Sequence, residues 1–388
     1  LTALHYKSMH EIRQHFYVLL NPPIRFLWHI ARRRVQAFCL PSQNKHSFLS
    51  DQHEQDPEQP FFAYLPFSAP HWPLQAPADT IAKYQGRYQQ GPDQLRLARL
   101  ARQQALGLLD AQHTAHPVHS RQPDWDDLPE HERALSARKM EVYAAMVDRM
   151  DWNVGRVIDY LKQTDQFEQT VVIFLSDNGA EGAQLEALPV FGANLNQVIA
   201  DHYDNSLDNI GRGNSYVWYG ERWAQAATAP SWLYKAHTSE GGIRTPAFIH
   251  YGGFAKQAQI SHEFLTVLDV FPTLLELSGA TYPSHSEQGH ALAPLRGRSL
   301  LPYLSEEVAQ IHAVDHVVGW ELFGQKAIRQ GSWKALFIPA PNGPNRWQLF
   351  DLETDVGETQ DLAEVYPERL QALLALWQVY VDENGVIE

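Results

Sequence analysis

Cysteine is almost missing from this 388-residue chain, which has only Cys39. A lone thiol excludes an internal disulfide and fits a reducing compartment. Long apolar runs are missing as well. The best candidate, Phe16 to Ile30, is broken by Asn21, Pro22, Pro23 and Arg25, so it is too short and too interrupted to span a bilayer or serve as a signal h-region. Positive charge is in deficit, with 31 Lys/Arg against 45 Asp/Glu and a net of −14. That balance argues against a general nucleic-acid surface and suits a protein that binds cations. Together these absences leave a cytoplasmic protein with no membrane or nucleic-acid partner as the expectation; they say nothing of oligomeric state.

What is present is a large core. An apolar content of 44% with 11 tryptophans is enough for one large or two unequal globular domains. Charge is unevenly spread: residues 1 to 50 hold seven Lys/Arg and one acid, Glu11, so the rest of the chain carries more than the whole net negative charge. This asymmetry puts a boundary near residue 50 and marks 1–58 as an anomalous basic leader. Residues 59–314 then form the main α/β unit, and 315–388 a smaller α+β unit.

Two apolar runs predict buried strands. Val171-Val172-Ile173-Phe174-Leu175 cannot alternate between core and solvent, so it reads as a central strand covered on both faces, and Phe61 to Leu65 reads likewise. Between them Met140, Tyr143, Ala144, Val147, Met150, Val154, Val157, Ile158 and Leu161 recur at three and four, predicting an amphipathic helix from Ala137 to Thr164. Helix followed by strand predicts a largely parallel sheet. Ala247 to Tyr251 is a further strand, and Phe264 to Leu277 a helix stopped at Gly279. Near the end, segments around 327–329, 333–337 and 347–352 predict a small antiparallel sheet, closed by a helix over Tyr366 to Val381.

Both buried strands empty into polar chemistry, as strands of open α/β sheets do at active sites. The first ends in Ser176-Asp177-Asn178-Gly179, where a carboxylate beside a carbamoyl oxygen suits a hard cation such as Ca²⁺ or Mg²⁺ and Gly179 permits a sharp turn. The same residues also make an ordinary Asx turn. The second ends in Ser68-Ala69-Pro70-His71-Trp72-Pro73. A third motif, Tyr234 to Pro246, places Lys235 ahead of Gly241-Gly242. Singly, His71 reads more readily as a capping or packed histidine and Lys235 as a solvated lysine.

In this order and spacing, Ala69 to Pro73, Ser176 to Gly179, Lys235 with Gly241-Gly242-Ile243-Arg244-Thr245-Pro246, and Asp269-Val270-Phe271-Pro272-Thr273-Leu274-Leu275 resemble the sulfatases, bacterial arylsulfatases in particular, within the alkaline phosphatase superfamily. The resemblance runs from about Pro60 to the carboxyl end. It implies an alkaline-phosphatase-like mixed sheet flanked by helices, truncated at the amino terminus, and hydrolysis of aryl sulfate esters. In that family a cysteine or serine within Cys/Ser-x-Pro-x-Arg is oxidised to formylglycine, whose hydrated form supplies the oxygen nucleophile. A divalent cation, Ca²⁺ in most members, holds sulfate and nucleophile together. By resemblance Asp177 and Asn178 are two of its ligands, and His71 and Lys235 bind the sulfate and stabilise or protonate the departing alcohol.

The amino terminus departs from this pattern. Cys39-Leu40-Pro41-Ser42-Gln43 has Gln43 where the family has arginine, and it lies too close to His71, so the formylglycine precursor is not identifiable here. With Leu1 at the start, the expectation is the carboxyl-terminal portion of an arylsulfatase, impaired or inactive, with poor metal affinity. Two alternatives stay open: a phosphodiesterase or phosphonate monoester hydrolase of the same superfamily, and a non-catalytic remnant or interaction protein. His113, His116 and His119 read as a flexible loop, Arg32-Arg33-Arg34 as a solvated charge run, and Asp204, Asn205 and Arg222 as possible pocket residues, with turn chemistry sufficient for the first two. Asp269 reads as a structural brace.

Overall fold

The computed structural model describes the backbone of residues 16–20 and all atoms of 60–182 and 195–387. Cys39 and the Arg32-Arg33-Arg34 run lie outside the described residues. The first sheet has the order β2-β1-β3-β4, with β1 Phe16–Leu20, β2 Phe62–Tyr64, β3 Val171–Leu175 and β4 Ala247–His250. The basic head thus places Phe-Tyr-Val-Leu-Leu, a run rich in strand formers, inside the sheet.

The expected largely parallel sheet is corrected here. Every neighbouring pair among these strands is antiparallel. Because β1 opposes both β2 and β3, those two do run in one direction, as the helix-then-strand pattern requires. β4 reverses for a local reason. The chain leaves β3 at Ser176 and returns at Pro246, and the Ser176 amide donates to the Pro246 carbonyl at 3.1 Å, so exit and re-entry share one end of the sheet.

Helices cover β3 on both faces. Helix α1, Glu130–Gln163, starts seven residues before the periodic pattern suggests. Its Met150, Val157, Tyr160 and Leu161 pack with Ala63, Leu65 and Val172 on one face. On the other, Val171 and Ile173 meet Val270, Leu274 and Leu277 of α2, Val270–Ser278. Adjacent residues of β3 therefore serve opposite cores, which is why the strand has no polar face. The predicted helix over 264–277 is shorter, because residues 267–269 form a 3₁₀ turn first. Asp269, fully buried, organises that turn. Its Oδ2 accepts from the Thr266 amide at 2.7 Å and lies 3.0 Å from His312 Nε2, while Oδ1 accepts from the Arg298 amide at 2.7 Å. Gly279 stops α2 in the left-handed region, at φ 64°.

The second sheet is antiparallel, in the order β5 Val317–Leu322, β6 Gln325–Gln330, β7 Trp333–Phe337, β8 Trp347–Asp351. Ile328, Ala335 and Leu349 face Leu373 and Trp377 of the closing helix α3, Pro367–Asn384. Their neighbours Ala327, Leu336 and Phe350 face the main core beside Trp223 and Leu233. Period-two alternation here sorts residues between two cores. Among the described residues, no helix is long and apolar enough to cross a membrane.

A fully buried lysine joins the sheets' two surroundings. Lys334 Nζ on β7 donates to Glu240 Oε1 at 2.9 Å and to Glu358 Oε1 at 2.8 Å, and Glu358 Oε2 accepts from the Glu240 amide at 2.8 Å. Two carboxylates share one ammonium away from water. Burial raises Glu358 to about 7 against the pull of Lys334, while for Glu240 the lysine overcomes burial and holds it below the ordinary carboxylate range. A folded-state value above the unfolded one means that this stability contribution is complete below about 4.5 and is lost as pH rises through about 7. Melting temperatures of wild type and E358Q, compared from pH 5 to 8, should therefore converge toward low pH and separate toward high pH, with E358Q the more stable there. A constant separation would remove the linkage.

Candidate active site

The three polar motifs meet at one end of the first sheet because backbone hydrogen bonds stitch them together. Gly179 donates its amide to the Gly242 carbonyl at 2.9 Å, and Lys235 donates its own to Ala180 at 2.9 Å. Gly179 matters for close approach: it is not at positive φ, and an ideal Cβ there would overlap the Gly241 carbonyl oxygen. The sharp turn expected of it is thus replaced by backbone packing. On the other side of the contact, Gly241 donates to Trp232 at 3.0 Å and Gly242 to Ser239 at 2.9 Å.

Lys235 sits between two residues in the left-handed region, Leu233 at φ 58° and Ala236 at φ 69°. Such backbone costs on the order of 1 kcal/mol or more per non-glycine residue and persists only where the surroundings enforce it. They do so here. Leu233 is buried, Gln325 of β6 donates to the Ala236 carbonyl at 2.8 Å, and Asn342 Nδ2 lies 3.1 Å from His237 Nε2. His237 Nδ1 faces the Tyr234 carbonyl at 3.1 Å, and burial holds this histidine below its ordinary range.

His71 and Lys235, 164 positions apart, are brought together. His71 Nδ1 lies 2.8 Å from the Trp72 carbonyl, an oxygen that only accepts, so Nδ1 carries a proton, and Nε2 is the acceptor whenever the ring is neutral. Lys235 Nζ approaches that Nε2 at 3.3 Å. A third group completes the arrangement: Glu181 Oε2 lies 2.8 Å from Lys235 Nζ and 3.5 Å from His71 Nε2. All three side chains are largely shielded, at 16, 21 and 15% exposure for His71, Lys235 and Glu181. Glu181 escaped the sequence reading. Its only signal is a carboxylate set among small residues, Ala180-Glu181-Gly182-Ala183, directly after the Asp177-Asn178 pair.

Asp177 is exposed at the end of β3, and Asn178 is half-buried. Asn178 Nδ2 donates to the Gly179 carbonyl at 2.8 Å, which sets the orientation of the amide. A carboxylate and a carbamoyl oxygen on consecutive residues fit a hard divalent cation by donor type. They are two donors against about six to eight, and no group of three His, Cys, Asp or Glu side chains capable of holding a metal occurs among the described residues.

An aromatic wall adjoins His71. Its ring is 4.7 Å from Trp72; Trp72 is 6.0 Å from Tyr216, which in turn lies 5.1 Å from Tyr203 and 6.5 Å from Trp218. Asn205 shapes it by clamping the Tyr216 backbone, donating to its carbonyl at 3.1 Å and accepting from its amide at 2.9 Å. The other candidate pocket residues have structural partners. Asp204 closes an Asx turn onto the Ser206 amide, and Arg222 pairs with Asp93 and Asp124. Nor is the His113 to His119 stretch a loose loop. His113 is buried, and His116 stacks on Trp232 at 4.6 Å, where burial pushes it down to about 4.

A family model for Sulfatase matches residues 42–280, well over half of the chain and starting ahead of the expected Pro60. The chain belongs to the sulfatase family. An uncharacterized sulfatase of Schizosaccharomyces pombe is 48% identical over 336 residues, covering 86% of this chain and 60% of that protein. The arylsulfatase of Klebsiella aerogenes is 38% identical over 247 residues, 63% of this chain and 51% of its own length. The sulfatase chain thus spans about half to three fifths of these relatives. Among solved structures, Ps i-CgsB in complex with k-i-k-neocarrahexaose superposes with a TM-score of 0.54 at 21% identity, over 87% of this chain and 53% of the other. A phosphonate monoester hydrolase from Silicibacter pomeroyi gives 0.50 at 18%, over 91 and 63%. At such identities these two establish the fold alone, an α/β architecture of the alkaline-phosphatase-like kind.

The close approach at Gly179 is open to a direct check. G179A must force the turn away from Gly241 and should cost on the order of 2–4 kcal/mol, the range of overpacked buried sites. G155A, in α1 with nothing within 4 Å of an ideal Cβ, should instead gain about 0.5–1 kcal/mol from helix propensity. Urea midpoints of the two variants report both signs; equal midpoints would refute the packing account.

Proposed function

We propose that this chain carries an arylsulfatase-type site for hydrolysis of sulfuric esters, with a small aromatic sulfate ester as substrate. The single observation that carries the reading is the juxtaposition of His71 Nε2 and Lys235 Nζ at 3.3 Å, on a loop hydrogen-bonded to the turn that follows Asp177 and Asn178. A tetrahedral anion needs fixed donors and positive charge, and the leaving alkoxide needs an acid or cation beside it. Lys235 supplies the donor and the charge; His71 supplies the acid once Nε2, which accepts from Lys235 in the neutral ring, has taken up a proton.

Asp177 and Asn178 are the proposed ligands of a divalent cation, Ca²⁺ by family. When bound, that cation and a formylglycine would supply the charge neutralisation and the oxygen nucleophile of sulfate transfer. The task of this chain's described residues is to orient the ester, with Lys235 on the sulfate and His71 toward the ester oxygen. Trp72 lies beside His71 and Tyr216 beside Trp72, and these rings offer a surface for a flat organic group. The Klebsiella aerogenes arylsulfatase, at 38% identity, supports the aryl preference. The superposition with a phosphonate monoester hydrolase keeps the phosphonate reading as the competitor to be tested.

Calorimetric titration of the purified chain with 4-nitrocatechol sulfate in the presence of Ca²⁺ should show saturable binding. K235A should weaken it about tenfold or more, the expected loss of a charge-assisted hydrogen bond. D177A or chelation by EGTA should weaken it comparably, and a phenyl phosphonate monoester should bind less well. Absence of binding would defeat the site reading; tighter binding of the phosphonate would reassign it. Release of 4-nitrocatechol reports turnover by the same protein.

A further inference from the structure

We propose that Glu181 is a positioning residue that holds Lys235 and His71 as one hydrogen-bonded unit; this rests on the reading of that pair as the sulfate-ester site. A lysine side chain has four carbons of rotational freedom, and ordering it costs up to about 2 kcal/mol. Something must hold the ammonium where it can act. Glu181 Oε2 does so at 2.8 Å, with the same oxygen 3.5 Å from His71 Nε2.

The carboxylate is delivered from a rigid place. The Glu181 amide donates to the hydroxyl of the buried Tyr219 at 2.9 Å, and the preceding carbonyl, Ala180, accepts from the Lys235 amide at 2.9 Å. The following residue, Gly182, has no room for a side chain, because an ideal Cβ would run into the Tyr234 ring. Lys235 is therefore tied to one turn twice, by its backbone to Ala180 and by its side chain to Glu181. This short closed circuit leaves the ammonium little freedom.

The donor inventory then assigns directions. An ammonium has three N–H groups. One meets Glu181 and one meets His71 Nε2, which leaves the third for a bound anion. A sulfate oxygen approaching Lys235 must come from the side away from the Glu181 carboxylate, since two anions in a shielded site repel. Glu181 thus selects both the position of the ammonium and the face from which sulfate reaches it.

Two measurements on the full chain test this. In ¹H–¹⁵N spectra of the ligand-free protein, a slowly exchanging lysine ammonium signal, assigned by its loss in K235R, should be present in wild type and absent in E181A. No such signal in wild type, or its survival in E181A, overturns the proposal. In the binding assay with 4-nitrocatechol sulfate, E181A should weaken affinity about tenfold through release of the lysine. E181Q retains an acceptor for Lys235 without the negative charge, so its affinity should lie within about threefold of wild type. Tighter binding by both variants would mean that Glu181 only repels the anion, and a loss of equal size in both would mean that it only supports the fold; either result sinks the positioning role. Should E181A not fold, the E181Q spectrum decides alone, with the ammonium signal retained if Glu181 acts as a geometric acceptor. Failure of wild type to bind the sulfate, with the ammonium signal behaving as expected, would strike the functional reading and leave the Glu181 contact standing.

Discussion

The contact on which this site depends is backbone against backbone. Gly179, at the end of the turn after β3, lies directly on Gly241 and Gly242 and donates to the latter at 2.9 Å. No side chain fits there, so glycine on both sides lets two loops from distant parts of the chain pack as if they were adjacent strands. Everything else follows from that proximity: Lys235 can donate to Ala180, its ammonium reaches Glu181, and the strand after the loop re-enters the sheet beside β3. The antiparallel β3–β4 pair is a consequence of the site's construction, because the segments that flank the chemistry must leave and return at the same edge.

Such a loop is costly to hold, and the second sheet meets much of that requirement. Gln325 and Asn342 bond to Ala236 and His237, and Lys334 draws in Glu240 while Glu358 accepts from the Glu240 backbone. A buried ion cluster is weak evidence for stability, since desolvation offsets its Coulomb attraction. Its value here is geometric. An ammonium with two carboxylate partners has few alternative arrangements in a dry interior, so it fixes how the loop sits on β7. The carboxyl-terminal sheet is thereby part of the site's scaffold, with one face on the closing helix and the other in the core below Lys235.

The elements that were legible in the sequence are those whose signal is local. The continuous apolar run of β3, the helical period of α1, the alternation in β6 to β8 and the glycine stop at Gly279 each express a nearest-neighbour rule of burial or backbone conformation. Strand direction was not legible, because the apolar pattern of a buried strand is the same for parallel and antiparallel partners. The extent of α1 was missed at its amino end, where Glu130 to Ser136 has few apolar residues to carry a period. Arg222 carried charge and looked available; it proved to be held by Asp93 and Asp124, partners that sequence separation conceals.

By itself the sequence determined the family, the buried strand and the identity of the polar groups that follow it, since motif order and residue chemistry survive without coordinates. Only the tertiary structure decided that His71 and Lys235 stand 3.3 Å apart and that Glu181 bridges the two. Those facts depend on hydrogen bonds between residues more than fifty positions apart. Such contacts are set by how the loops close on one another, and no local pattern along the chain encodes them.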